Sequence, residues 1–250
     1  VRPDVVVGFG GYVSLPLGLA ASLRRVPLVL HEQNSVPGLA NRILSRWAHA
    51  VGTTYEGSAV HLAEPGRAVL TGNPVRASVL EADRDRGRTM FGVDPTETLL
   101  LVFGGSRGAR HINEAMVSLV PQLVAVPSLR VVHVAGRIEG ADVRARIAGA
   151  TGGQEDRYHV VDYIDAMGDA LAAADVVVAR AGATSIAEIT AVGRAAVLVP
   201  YPYATDDHQT LNARTLAEAG AADLVADADL DGPALGEAVL RLIAEPERVA

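Results

Sequence analysis

A chain of 250 residues, about half of them hydrophobic and few aromatic, can build one large or two modest domains, each with its own core. It has no cysteine, and its 22 basic residues are all arginine, so thiol chemistry, Cys-ligated zinc, Schiff bases and the lysine-dependent phosphate loop are excluded. The net charge of −7 is uneven, since residues 1–73 carry six arginines against four acids and the rest 16 against 25, and an acidic chain is a poor partner for nucleic acid.

The first element is a strand, Asp4–Val7, running into the glycine-bearing turn of "VVVGFGGYVSLP" and a helix start. Val5 to Leu23 has 19 positions without a charge, but Gly8, Gly10, Gly11, Pro16 and Gly18 make it a strand and a helix rather than a membrane span. A second strand, Pro27–Leu30, meets "HEQN", His31 to Asn34, four polar residues at a strand's carboxyl end. Such a place suits a general base or partners for sugar hydroxyls, and His31 and Asn34 are the local candidates. Strands at Ala50–Thr53 and Ala68–Leu70 follow.

Gly-Asn-Pro, a charge run and a second proline then break the alternation between Thr71 and Glu97. This places a domain boundary near Asn73–Pro74, giving a first domain over 1–73 and a second over 74–250, with Arg76 to Gly92 as a helical lead-in. Thereafter strands are predicted at Thr98–Phe103, Arg130–Val134, His159–Val161, Asp175–Val178, Ala195–Val199 and Asp223–Val225. Helical patterns such as Ile112–Val124 and Thr210–Ala219 lie between them. Strands alternating with helices imply parallel sheets with right-handed crossovers. Three or four strands before residue 73 fall short of a full domain, so the chain reads as truncated at its N-terminus.

Three loops repeat the pattern of buried strand, glycine turn and helix start: "VVVGFGGYVSLP", "LLLVFGGSRGARHIN" and "VVVARAGATSIAEI". Ligands collect beyond the carboxyl ends of parallel strands, where a helix start offers N–H groups and glycine lets a phosphate approach the backbone. A nicotinamide site fits poorly. Gly8 and Gly10 match the first two glycines of that fingerprint, and Glu32 falls near the expected acid, but Val13 stands where the third glycine belongs. Glu188 has two readings, a capping box with Ser185 or a carboxylate for ribose hydroxyls, which spacing leaves open. In "ATDDHQTLN" the adjacent Asp206 and Asp207 cannot easily share an ion, which favours an N-cap with hydrogen-bonding side chains from His208 and Gln209 over a metal site.

Taken together, "GGYVSLP", "HEQN", "GNPVR", "GGSRGA", "AGATSIAEI" and "DDHQTLNA" resemble the MurG family of glycosyltransferases across essentially the whole chain. The resemblance implies a GT-B architecture, an α/β fold of two Rossmann-like domains with parallel sheets facing across a cleft, here with the N-terminal domain incomplete. It implies UDP-N-acetylglucosamine as donor, bound by the second domain, and a lipid-linked muramyl-pentapeptide as acceptor, met by the first. No cofactor and no metal are expected. The implied place is the cytoplasmic face of the bacterial membrane, held peripherally.

By the same resemblance, Ser106 contacts the donor diphosphate and the backbone of Ile164 reads uracil. Thr184 and Ser185 form the phosphate turn, Glu188 takes the ribose, His208 and Gln209 read the sugar, and Arg76 reaches the leaving phosphate. Gly10, Gly11, Tyr12 and Asn34 fall on the acceptor side. The chain departs from the family in Arg107, where glutamine is usual, and in "ATS" for "ALT". The family's first glycine loop, with its histidine, precedes residue 1. The alternatives are a UDP-N-acetylglucosamine epimerase on the same architecture and a non-catalytic nucleotide-sugar-binding module.

Overall fold

The computed structural model describes residues 3–105 and 109–245. The chain divides into two compact units, one of Val1–Pro74 with Tyr203–Asn212 and one of Val75–Pro202 with Ala213–Ala250. The division follows Pro74 rather than preceding it. It also gives the first unit a segment that the 74–250 boundary assigns to the second.

The first unit holds strands β1 (Val6–Gly8), β2 (Leu28–Glu32), β3 (Ala50–Thr53) and β4 (Ala68–Leu70), with helices α1 (Ser14–Leu23) and α2 (Leu39–Leu44). The four strands form one parallel sheet in sequential order, with Gly8 opposite Leu30 and Glu32 opposite Thr53. Leu28, Leu30, Leu44, Val51 and Leu62 are buried as its core. Gly18 lets α1 approach α2, since a Cβ there would lie 2.6 Å from Leu44 Cδ1. The strand predicted to end at Leu30 runs two residues further. His31 and Glu32 therefore belong to β2, fixed by the ladder with β3, and not to the loop.

In the second unit the strands are β5 (Thr98–Phe103), β6 (Leu129–Val134), β7 (Tyr158–Val161), β8 (Val176–Ala179), β9 (Ala195–Leu198) and β10 (Ala222–Leu224). The sheet is parallel throughout, in the order β10-β9-β8-β5-β6-β7. The helices are α3 (Ala77–Leu80), α4 (Arg84–Phe91), α5 (Arg110–Val124), α6 (Gly140–Ala150), α7 (Met167–Ala173), α8 (Ala183–Val192), α9 (His208–Glu218), whose residues up to Asn212 belong to the first unit, and α10 (Gly232–Ala244). Strands β5 and β8 are apolar runs because helices cover both faces of the sheet, and every residue of β8 is fully buried. Each such side chain contributes about 1.5–3 kcal/mol over its exposed state.

The predicted helical lead-in over Arg76–Gly92 divides into α3 and α4. Asp83 is the reason. Its carboxylate accepts from Arg86 N at 2.6 Å and starts a new helix, which Gly92 ends in the left-handed conformation at φ +62°. Helix α7 meets both α4 and α3 at backbone distance. A Cβ on Gly87 would lie 2.1 Å from the carbonyl oxygen of Asp169, and one on Gly168 2.2 Å from that of Ser78. The Arg86 guanidinium binds the Asp169 carboxylate through two bonds of 2.6 Å beside this seam.

Beneath β6 lies a closed polar chain. The Nε2–H of buried His133 donates to Asn113 Oδ1 at 2.9 Å, and its Nδ1 accepts from the Tyr158 hydroxyl at 3.1 Å. Asn113 Nδ2 donates to Ala135 O and to Glu139 Oε2. Burial pushes the imidazole down to about 3 and the phenol up, so both are neutral.

Candidate functional site

The second unit has a topological switch point. From β5 the chain moves to β6 and β7 on one side, while from β8 it moves to β9 and β10 on the other. Strands β5 and β8 are neighbours, with Phe103 opposite Ala179, so α5 and α8 start from adjacent strand ends. Ligands in open parallel sheets bind at such a reversal. Both starts also lack a side-chain cap among the described residues, their N-cap positions being Ala109 and Gly182. Helices α4 and α10 are capped by Asp83 and Asp231, while α1, α2, α3, α6 and α7 also lack a cap, so it is their place at the switch that sets α5 and α8 apart. An uncapped helix start in this place suits an anion. The predicted diphosphate contact Ser106, with Arg107 and Gly108, lies outside the described residues.

Helix α8 removes one of the two readings of Glu188. Its N-cap is Gly182, so Ser185 is the third helical residue and Glu188 lies beyond the first turn. The capping box is thereby corrected. The carboxylate instead accepts from Arg76 Nε at 2.8 Å; it is buried, while the Arg76 side chain is 59 % exposed. Glu188 holds the Arg76 guanidinium above its ordinary pKa, first through the hydrogen bond and then by charge. Thr184 is exposed in the first turn and Ser185 half-buried. Ile164 is buried in the connection from β7 to α7. The next residues, Asp165 and Ala166, line a cavity of about 280 Å³ with Arg76, Ser78, Glu81 and Arg86.

Asp227, in the turn after β10, is buried and serves two partners. Its Oδ1 accepts from Arg180 Nη1 at 2.5 Å and its Oδ2 from His111 Nδ1 at 2.7 Å. Arg180 Nη1 also donates to the carbonyls of Val199 and Pro200, and its guanidinium lies 5.6 Å from the centre of the Tyr201 ring.

In the first unit the "HEQN" residues form a closed network around Glu32. This carboxylate is 2 % exposed and accepts from Asn34 N, Asn34 Nδ2, Gly38 N and Asn41 Nδ2 at 2.9–3.1 Å. His31 is buried, and both ring nitrogens are engaged. Nε2 faces the Gly72 carbonyl at 2.9 Å, to which it can only donate, so Nδ1 accepts from Gln33 Nε2 at 3.2 Å. The amide of Asn34 is spent at both ends, on Glu32 and on Asn212 Nδ2, while Asn212 Oδ1 accepts from Ser35 N and Oγ. The reading of His31 and Asn34 as the general base is therefore corrected, because neither offers a free acceptor to an attacking hydroxyl.

Gly10 and Gly11 adopt φ of +82° and +76°, which a side chain would strain, and Tyr12 beside them is 77 % exposed. A Cβ on Gly10 would stand 3.3 Å from Asn41 Nδ2, so the glycine turn rests on the amide that also braces His31 O and Glu32. His208 and Gln209 open α9 within Tyr203–Asn212. His208 Nδ1 donates to Thr205 O at 2.7 Å, and Asp207 Oδ1 accepts from Thr210 Oγ1 at 2.6 Å. The aspartates Asp206 and Asp207 both have φ of +52°.

Residues 99–250 match the glycosyltransferase family 28 C-terminal domain, and residues 1–53 match the N-terminal domain of the same family. A UDP-N-acetylglucosamine--N-acetylmuramyl-(pentapeptide) pyrophosphoryl-undecaprenol N-acetylglucosamine transferase of Desulforudis audaxviator is 43 % identical over all of this chain and 67 % of its own length. A protein of the same name from Burkholderia ambifaria is 45 % identical over 95 % of the chain and 62 % of its own. The crystal structure of Acinetobacter baumannii MurG superimposes with a TM-score of 0.78 at 32 % identity, covering 98 % of this chain and 67 % of that one. The chain belongs to the MurG family.

It spans about two thirds of the length of these MurG relatives. A UDP-GlcNAc 2-epimerase from Neisseria meningitidis, solved with UDP-GlcNAc, superimposes at TM-score 0.72 over 99 % of this chain and 69 % of its own. At 14 % identity it shares the fold alone. Within the MurG fold the structure brings Arg76 to Glu188 and sets Thr184 and Ser185 at the α8 start, while His208 and Gln209 fall in the other unit. Sequence reasoning missed Glu32 as an organiser, Asn41, Asn212 and Asp227. The one available signal for Glu32 was an acid at the end of an apolar strand, and for Asp227 there was none, since no motif contains it.

Proposed function

We propose that this chain transfers N-acetylglucosamine from UDP-N-acetylglucosamine to the 4-hydroxyl of undecaprenyl-diphospho-muramoyl-pentapeptide, with inversion at the anomeric carbon, in peptidoglycan synthesis. The names of its relatives, at 43 % and 45 % identity, support the reaction. The single structural observation that carries it is the pair of helix starts without side-chain caps, α5 and α8, at the switch between β5 and β8. Departure of UDP adds negative charge to the diphosphate, and backbone N–H groups fixed in advance stabilise that charge without reorganising.

Residue roles follow in the same reading. Thr184 and Ser185 present the α8 start to the diphosphate, with Ser106 of "GGSRGA". Glu188 accepts the ribose hydroxyls, held meanwhile by Arg76, which approaches the leaving phosphate side. The backbone of Ile164 reads the uracil edge, and the adjoining cavity of about 280 Å³ has room for a pyrimidine ring. His208 and Gln209 read the sugar, and Gly10, Gly11, Tyr12 and Asn34 shape the acceptor side.

In the same reading the enzyme works at the cytoplasmic face of the membrane that holds its lipid-linked acceptor. The exposed apolar side chains Tyr12, Val13, Leu17 and Leu23 of the first unit support a peripheral contact there. Among the described residues no helix is long and apolar enough to cross a membrane.

The test is transfer of labelled sugar from UDP-N-acetylglucosamine to a lipid-linked muramyl-pentapeptide, followed by chromatography of the product. A disaccharide-lipid carrying the label is expected. Label that stays with the nucleotide as an epimerised sugar, with none on lipid, overturns the reading.

A further inference from the structure

The cluster of His111, Asp227 and Arg180 has no part in the roles above, yet it joins the two helix starts. Arg180 leads into the turn that begins α8, and His111 is the second residue of α5. Both bond one buried carboxylate, Asp227, which is 5 % exposed, while the His111 side chain is 54 % exposed. Its Nδ1 faces the carboxylate, so the Nε2 edge is the one turned to solvent.

Charge decides what this ring does. Arg180 already neutralises Asp227, so the imidazole is not needed as a counter-charge. A cation in the first turn of a helix is opposed by the helix dipole. Arg110, the preceding residue, opposes it further. The nearest acid on the same helix, Glu114, is engaged by Arg110 at 3.0 Å, and from the start of α6 Glu139 and Asp142 also act on Arg110. A diphosphate at the same helix starts brings two negative charges, which favour the imidazolium.

We infer that His111 takes up a proton when the donor's diphosphate binds, and that the resulting imidazolium is a further positive group beside the leaving phosphate. The proton comes from solvent, and no covalent bond changes in this step. When the sugar departs, the diphosphate diester becomes a monoester with one more negative charge, which the imidazolium meets already in place. The inference rests on the donor-site reading.

Calorimetric titration of the chain with UDP-N-acetylglucosamine tests it, in buffers of different ionisation heat between roughly pH 6.5 and 8. The diester diphosphate does not titrate there, so proton exchange belongs to the protein. Net uptake is expected, with affinity falling as pH rises by up to about tenfold per unit. In His111→Asn, whose amide keeps a donor for Asp227, the uptake is lost and the affinity becomes flat with pH. A binding heat independent of buffer, or uptake that persists in His111→Asn, overturns the inference and leaves the donor site standing. No binding heat at all overturns both.

Discussion

The loop that follows β2 and the turns that follow β5 and β8 occupy equivalent places, at the carboxyl ends of parallel strands, and they differ in what their polar groups have left to offer. After β2, Glu32 gathers four N–H donors and the "HEQN" side chains that were candidates for chemistry bond one another. After β5 and β8 the turns are rich in glycine and alanine, and the helix starts carry no side-chain cap among the described residues. The richer sequence is the more completely self-satisfied one. Polarity at a strand end is therefore a weak sign of a ligand, and a helix start without a side-chain cap at a topological switch is a stronger one.

The contrast breaks most severely at Glu32. In Glu32→Gln one oxygen becomes an amide facing donors, and the first unit loses about 3 kcal/mol. Amide exchange in β2 and β3 would read this as protection falling by about 100-fold. Unchanged protection would mean that the network fills space without holding the unit together.

The next largest effect comes from closing the open side. Gly182 has ordinary φ and ψ, and a Cβ there would have only Ser185 Oγ, at 4.0 Å, within reach. Gly182→Asp should cap α8 as Asp83 caps α4, adding about 1 kcal/mol of stability. Its carboxylate should also weaken UDP-N-acetylglucosamine binding by roughly 30-fold in calorimetry. Higher thermal stability with unaltered affinity would remove the α8 start from the phosphate site.

Glu188→Gln sharpens the comparison within α8. Its partner is 59 % exposed, so the ion pair contributes under about 1 kcal/mol to folding. The KM for donor should rise about tenfold with kcat little changed, the signature of a binding group. A large loss of stability with KM unmoved would return Glu188 to a structural role. The smallest effect belongs to Arg146→Ala, which breaks an exposed pair with Asp142 at 3.5 Å and should move the melting temperature by the equivalent of under about 0.5 kcal/mol. Steady-state rates with this variant set the baseline for the other three.

The strands were legible because parallel strands are written as apolar runs between turn residues, even where, as in β4, they are exposed, and β3, β4 and β5 match residue for residue. What could not be read was satisfaction. The string "SIAE" has capping-box spacing, but the helix begins at Gly182, three residues before Ser185, because cap position depends on where the β8 ladder releases the chain. The "HEQN" chemistry misread for a related reason. Two of its residues are in the strand, and the amide that engages Asn34 comes from Asn212, far along the chain. The switch point itself required strand order, which local pattern does not carry. Asp227 stands outside every motif, and only its bonds to Arg180 and His111 mark it.

The packing of α7 against α4 and α3 carries a consequence for variation. Gly87 and Gly168 each abut a carbonyl oxygen of the opposite segment, at distances no side chain tolerates. Substitution at either must pry apart two stretches of main chain, and no choice of replacement lessens that. In a saturation library, two positions remote from any chemistry should vanish from the survivors as thoroughly as those that touch the sugar nucleotide.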